Sequence, residues 1–270
     1  MNQRFDLISV GDNCIDRLSG RAAVALVGGN AVNVAVQAAR AGLRTAYVGV
    51  VGPEGEANGD RVAAALMANG VDIGWLERGA RPTPVTELYV GTDGDRKILR
   101  EDFGACTGWT PRPDILAALT TAPHVHIGWI NDGGAARRAL VRRGVSVSQD
   151  ISVNCLSAGD ISVEGLEIAF ASLPEARAAE AEDCAAALVA KGAKAAVVTL
   201  GRLGSLALAG NRLHCADAAG IEATDTTGAG DSYIAGFLAA RLVGAPVTEA
   251  MAAGHARAAA TCTHPGGFPQ

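Results

Sequence analysis

The chain reads as an α/β protein: a doubly wound, mainly parallel sheet flanked by helices, with a small antiparallel sheet attached. Three observations predict this. Short β-branched runs bounded by glycine alternate with segments of helical period, as crossovers between parallel strands require. Residues 85–100 differ, because period-two alternation there surrounds the turn Thr92-Asp93-Gly94-Asp95 and points to an antiparallel hairpin. Finally, 270 residues with 49% hydrophobic and 19% charged residues are enough to bury one large core.

The elements follow in order. Residues 5–10 form an apolar run ending in Gly11-Asp12, and residues 45–51 a second between Gly42 and Gly52; both read as buried strands. Between them, residues 30–40 carry Val32, Ala35, Val36 and Ala39 at helical spacing, with Asn30 in the N-cap position and Gly42 just past the end. Residues 60–69 repeat the helical pattern, residues 85–91 alternate like a half-exposed strand, and residues 96–100 are its hairpin partner. Beyond Pro111 the spacing predicts helices over 114–121, 133–143 and 180–191, and strands over 124–130, 145–149, 168–172 and 195–200. A hairpin around Gly210-Asn211 and two Ala-rich helices after Gly228 complete the chain. No repeat or linker divides it, so residues 1–270 are read as a single domain.

A net charge of −5 supplies no broad positive field for nucleic acid or anionic membrane, and neither is an expected partner. Arg137, Arg138, Arg142 and Arg143 form a local basic group that reads as a solvated helix face. The six cysteines are widely spaced, with no Cys-x-x-Cys pair, and read as buried thiols of a reducing compartment. The start shows no apolar signal core, and the apolar stretch 229–245 is too short to cross a bilayer, so a cytoplasmic location is expected.

The most informative segment is Thr224-Asp225-Thr226-Thr227-Gly228-Ala229-Gly230-Asp231-Ser232, followed by Ile234, Phe237, Leu238 and Leu242 at helical spacing. Glycines at a helix start let backbone N–H groups converge on an anion, and the helix dipole adds to that attraction. Asp231 in the first turn either complements the dipole or takes a proton from a hydroxyl that attacks a bound phosphate. Two further segments fit small-molecule binding. Gly28-Gly29-Asn30-Ala31-Val32-Asn33 opens a helix with close backbone approach, and Asp12 at a strand end offers a carboxylate to hydroxyls. In the same segments Asp12 also reads as a turn residue, Asn30 as a plain cap and Asn33 as a solvated side chain. No Gly-x-x-x-x-Gly-Lys-Ser/Thr is present, so phosphate charge must be met without a P-loop, most simply by hydrated Mg²⁺.

The string Asp225-Thr226-Thr227-Gly228-Ala229-Gly230-Asp231-Ser232 resembles the carboxyl-terminal signature of the ribokinase (PfkB) family of carbohydrate and nucleoside kinases. Gly28-Gly29-Asn30-Ala31-Val32-Asn33 is similar to the family's sugar-holding element, and Val197-Val198-Thr199-Leu200-Gly201-Arg202-Leu203-Gly204 to its nucleotide-binding strand and turn. The resemblance implies a ribokinase-like fold with a small lid made by parts of 13–27 and 84–103. It implies Asp231 as general base, the Gly228, Ala229 and Gly230 amides as anion hole, and Asp12, Gly28, Gly29, Asn30 and Asn33 around the sugar. ATP is implied at Thr199, Gly201, Gly204 and Thr226, with Mg²⁺ organised through water by Glu175, and K⁺ near Asp225, Thr227 and the loop 263–266. A homodimer is implied as well. The family's usual Asn-x-x-Glu is Ser172-Leu173-Pro174-Glu175 here, which keeps the Glu and lacks the Asn.

The similarity spans essentially the whole chain and is greatest to a branch that phosphorylates the 6-hydroxyl of fructosamines such as fructoselysine. Glu101, with Asp102, is a candidate for recognising the amine of such an acceptor. The alternatives are a ribokinase-like or nucleoside kinase acting on an unmodified sugar or nucleoside and, outside enzymes, a non-catalytic ATP or sugar sensor.

Overall fold

The computed structural model describes residues 4–20, 23–91, 96–152 and 157–270. Its main sheet holds nine strands in the order β13-β12-β11-β10-β9-β8-β1-β4-β5. These are β1 (Leu7–Val10), β4 (Thr45–Val51), β5 (Asp72–Arg78), β8 (Val125–Ile127), β9 (Val147–Asp150), β10 (Ile168–Ser172), β11 (Ala195–Thr199), β12 (Ser205–Ala209) and β13 (Arg212–Ala216). From β11 to β5 every neighbouring pair is parallel, and the β12–β13 hairpin closes one edge antiparallel. The second sheet contains β2 (Cys14–Gly20), β3 (Val24–Gly28), β6 (Val85–Val90) and β7 (Arg96–Asp102). It consists of two antiparallel pairs, β2–β3 and β6–β7, joined through a parallel β2–β6 pairing.

Helices cover both faces of the main sheet. On one face, α3 (Pro113–Leu119), α4 (Ala135–Arg142) and α5 (Ala181–Ala190) pack Leu119, Leu140 and Leu188 against Ile8, Val48, Ile127, Val147 and Val198. On the other, α1 (Asn30–Arg40), α6 (Ala229–Leu242) and α7 (Val247–Thr261) enclose Leu7, Phe170 and Val197 with Val34, Tyr233, Phe237 and Met251. Phe237 is 2% exposed, so truncating it to alanine costs about 3–5 kcal/mol. Between α1, α2 (Ala57–Ala68) and the small sheet lies a third cluster, with Ile15, Val27, Val32, Leu66 and Phe268.

The chain runs from β1 outward to β4 and β5, then returns to place β8 on the other side of β1. The sheet order therefore reverses between β1 and β8, and the crevice beyond the carboxyl ends of those two strands is where an open α/β sheet accepts a ligand.

Several sequence expectations shift. Asn30 is not the N-cap of α1; Gly29 holds that position at φ 105° with no side-chain cap, and Asn30 is the first helical residue. β8 ends at Ile127 instead of running to 130, because Gly128 passes so close to α1 that a Cβ there would lie 2.5 Å from Asn30 Oδ1. β5 was not expected, since its two faces are both only half-buried and leave no clean period. Arg137 is 2% exposed and donates to the Glu164 carbonyl, so only Arg138, Arg142 and Arg143 of the basic group face solvent. Of the cysteines, Cys106 and Cys262 are buried, Cys14 and Cys184 half-buried, and Cys215 exposed on the edge strand β13. Cys155 and the turn 92–95 lie outside the described residues. No helix among the described residues is long and apolar enough to cross a membrane.

Candidate active site

Asp12 follows β1 at the reversal point. Its carboxylate accepts from the N–H groups of Asn30 (3.0 Å), Ala31 (3.2 Å) and Trp129 (3.3 Å). The donors that a Gly29 cap leaves unsatisfied are thus met from eighteen residues upstream, and α1 is pinned to the loop after β8. Burial pushes the Asp12 carboxyl up, against those backbone hydrogen bonds. Gly28 and Gly29 are needed for close approach: a Cβ on Gly28 would meet Asp16 Oδ2 at 2.5 Å, and one on Gly29 would meet Asn13 Cα at 2.5 Å.

With its backbone satisfied in this way, Asn30 is able to turn its side chain into the crevice. Its Nδ2 donates to Asp231 Oδ1 (2.7 Å) and to Asp150 Oδ2 (2.8 Å), while Asn33 Nδ2 donates to Asp231 Oδ2 (2.7 Å). Both oxygens of Asp231, in the first turn of α6, are therefore held by amides of α1. Burial pushes the Asp231 carboxyl well above the ordinary range; Asn33 pulls it back, Asp150 and Asp12 push it further by repulsion, and Asn30 pulls it down. Asp150, at the end of β9, is lifted by burial to about 6. Its position gives it away only by fold logic, as a carboxylate at the carboxyl end of a strand beside the reversal point.

Gly228 caps α6 at φ 74° with no side-chain cap, and a Cβ on Gly230 would meet nothing within 4 Å, so the helix start faces open space. The Ala229 N–H bonds to the Thr226 carbonyl at 3.2 Å, which leaves the Gly228 and Gly230 amides as the better anion donors of the three. The carboxyl-terminal loop locks this region. A Cβ on Gly228 would lie 2.5 Å from Gly267 Cα, and Gly267 itself abuts the Asn33 side chain. Gln37 donates to the Gly267 carbonyl (2.6 Å) and to Thr261, whose hydroxyl meets Ser232 (2.7 Å). Asp225 accepts from Thr227 N–H and Gly266 N–H, both at 2.8 Å, bringing the expected cation-site segments together.

Thr199 and Gly201 lie at the end of β11 and in the turn after it, and Gly204 abuts the Ala216 carbonyl at φ 99°, where no Cβ fits. Thr226 is exposed. Glu175 is held on this side by Arg202, through an ion pair of 2.6 Å and the Arg202 N–H at 3.3 Å, and the Arg202 hydrogen bond holds its carboxyl below the usual range. No cluster of three or more His, Cys, Asp or Glu suited to a metal occurs among the described residues.

A profile of the pfkB family of carbohydrate kinases matches residues 17–132 and 163–269. The chain belongs to that family. Its relatives include a fructoselysine 6-kinase from Shigella flexneri, 32% identical over 268 aligned positions, with 97% of this chain and 99% of the relative covered. A fructosamine kinase from Bacillus subtilis is 29% identical, covering 97% and 92%. Among solved structures, ribokinase of Arabidopsis thaliana complexed with ribose and ATP superposes with a TM-score of 0.86 at 22% identity, over 98% of this chain and 96% of that one. A putative ribokinase II from E. coli in complex with ATP and Mg²⁺ gives 0.79 at 20% identity, over 97% and 94%. This pfkB-family protein is therefore an ATP-dependent carbohydrate kinase on a ribokinase-like fold.

Proposed function

We propose that the protein transfers the γ-phosphoryl of ATP to the 6-hydroxyl of a fructosamine such as fructoselysine. The observation that carries the chemistry is the double clamp on Asp231 beside the uncapped start of α6. The acceptor class is supported by the near full-length similarity to the fructoselysine and fructosamine kinases.

Asp231 takes the proton as the hydroxyl oxygen bonds to phosphorus and the bond to the β-phosphate oxygen breaks, leaving ADP, a sugar 6-phosphate and a protonated carboxyl. A burial-raised carboxyl is a stronger base than an exposed one, and the Asn30 and Asn33 amides keep it from being lost to protonation. The Gly228 and Gly230 amides, with Ala229 holding the turn, stabilise the charge on the transferring group. Asp12, which also anchors α1, borders the acceptor together with Gly28, Gly29, Asn30, Asn33 and Glu101. Thr199, Gly201, Gly204 and Thr226 border the nucleotide.

Glu175 is the residue that would reach a hydrated Mg²⁺ through water, and that ion would supply neutralisation of the phosphate charge. K⁺ would be held near Asp225 and Thr227, a reading supported by the Asp225 carboxylate joining the Thr227 and Gly266 N–H groups. Closure of the small sheet over the sugar excludes water and limits ATP hydrolysis. Exposed Val24, Tyr89, Ile98 and Leu99 on that sheet are the apolar surface on which a homodimer would rest.

The test is coupled ADP release with Mg-ATP against fructoselysine, other fructosamines, fructose, ribose and adenosine, with Asp231→Asn as control. Fructosamine turnover is expected, falling by about 10²–10⁴ in the variant. Turnover of a plain sugar or nucleoside alone would retain the mechanism and replace the acceptor. ATP binding with no turnover of any acceptor would leave a sensor.

A further inference from the structure

Next to the Asp231 clamp, a cavity of about 270 Å³ opens between the body and the small sheet. Asp12 lines it, and because Asp12 also accepts the Asn30 N–H, the cavity and the clamp share this residue. On the fructosamine reading, an acceptor with its 6-hydroxyl at Asp231 would have this space for its far end, carbon 1.

Two buried polar atoms in the lining find no hydrogen-bond partner among the described residues: Asn13 Oδ1 and Trp129 Nε1. Asn13 is 1% exposed and Trp129 6%. The Asn13 amide is fixed by its own Nδ2, which donates to the Val50 carbonyl (2.8 Å) and to the Tyr47 hydroxyl (3.0 Å), leaving Oδ1 as the acceptor on offer. A buried acceptor and donor without partners are costly in a folded chain unless a ligand completes them.

The remaining lining is acidic and aromatic. Phe103 stacks on Trp129 with centroids 4.7 Å apart and planes 14° from parallel. Glu101 and Thr86 face each other across the β6–β7 ladder and both line the cavity. Asp102 also lines it but is tied to Arg100 at 3.3 Å and to the Gly104 N–H. Among the described residues no Lys or Arg lines it while Asp12, Glu101 and Asp102 do, so the cavity favours a cation directly beside the sugar.

We propose that this cavity binds the nitrogen-linked substituent of the acceptor, with Asn13 Oδ1 and Glu101 accepting from its secondary ammonium, Trp129 Nε1 donating to an oxygen of the substituent, and the Trp129–Phe103 pair packing its alkyl chain. The assignment rests on the fructosamine reading above and adds the residues that distinguish such an acceptor from a plain ketose. An ammonium supplies two N–H donors for the two acceptors, and a cation beside stacked rings gains from their faces.

Two variants test it in folds checked by thermal melting. Glu101→Gln lies on an exposed strand, and Trp129→Phe keeps the ring stack while deleting Nε1. For Glu101→Gln the KM for fructoselysine should rise about tenfold with kcat within about twofold, and the KM of fructose, or its inhibition constant where it is not turned over, should not move. For Trp129→Phe the ranking among fructosamines of different substituents should flatten by about threefold, again without change for fructose. An equal rise for fructose and fructoselysine would show that the cavity holds the sugar ring itself and would overturn the assignment. So would fructosamine constants that neither variant alters. A wild-type enzyme that turns over no fructosamine would sink the acceptor reading, and this inference with it, a result distinct from either of those.

Discussion

In the proposed reading of this kinase, the acceptor side around Asp231 and the nucleotide side around Thr199–Gly204 are built to different tolerances. Asp231 is gripped at both oxygens by Asn30 and Asn33 of α1, Asn30 also holds Asp150, and Gly267 and the Gln37–Thr261–Ser232 chain pack against Asn33 and the start of α6. The Thr199–Gly204 turn is exposed through residues 201–203 and is braced by the Glu175–Arg202 pair on the surface. The difference follows from what each side must fix. Proton transfer from a neutral hydroxyl requires a base held to a fraction of an ångström, whereas a polyphosphate brings its own charge and metal and can order an open turn around itself.

The comparison breaks most visibly at Asn33. Its amide pulls the Asp231 carboxyl down, so Asn33→Ala lets that value rise further and shrinks the ionised fraction at neutral pH. We expect kcat to fall about 10²-fold and its acid limb to move to higher pH, as a misplaced and more protonated base demands. A pH–rate profile decides the point: loss of rate with an unmoved limb would make Asn33 a sugar ligand and not a positioning residue for the base.

Asp150 sharpens the contrast, because holding a charge inside this clamp has a cost in stability. Its folded value near 6 lies above the ordinary 3.8, so its favourable contribution is complete below 3.8 and is lost as pH rises through 6. At pH 8 the wild type carries a penalty of up to about 3 kcal/mol, reduced by solvent screening of a half-buried group. Asp150→Asn should raise Tm by about 2–6 °C at pH 8 and by nothing measurable at pH 4. Removing its repulsion also lowers the Asp231 carboxyl, so the acid limb of kcat should move to lower pH, opposite to Asn33→Ala. A Tm gain that is the same at both pH values would refute the burial argument.

How much of this was legible in the sequence depends on whether a feature is local. The strand Thr45–Val51 and the helix Asn30–Arg40 follow from unbroken apolar periodicity between glycines. The reach of Asp231 to a helix start follows from an eight-residue string. The sequence marks Asn30 and Asn33 as sugar contacts, but their grip on Asp231 depends on α1 and α6 packing side by side, which no spacing encodes. The cap of α1 was misassigned because Asp12 supplies it across the sheet reversal, freeing Asn30 for the clamp. Asp150, Asn13 and Trp129 carry no motif; each becomes visible once strand order places β9, β1 and β8 side by side. Arg137 misled because a basic run on a helix has no local sign that the Glu164 carbonyl will receive one member of it.

The smallest expected effect lies on the open side and tests whether Glu175 serves the metal or only its neighbour. Its carboxylate is occupied by Arg202, yet that pair is exposed, with the arginine side chain 84% accessible, so water and salt compete for it. Arg202→Ala should leave kcat and Tm essentially unchanged and alter KM for ATP by no more than about twofold. Glu175→Gln should raise the Mg²⁺ concentration needed for half-maximal rate by about threefold, with the deficit vanishing at saturating Mg²⁺, because a water-mediated contact to a hydrated ion is weak and replaceable. If the two variants give the same Mg²⁺ dependence as wild type, Glu175 is a surface counter-ion. Glu175 would then take no part in shaping the nucleotide turn, which would widen the contrast with the double clamp on Asp231.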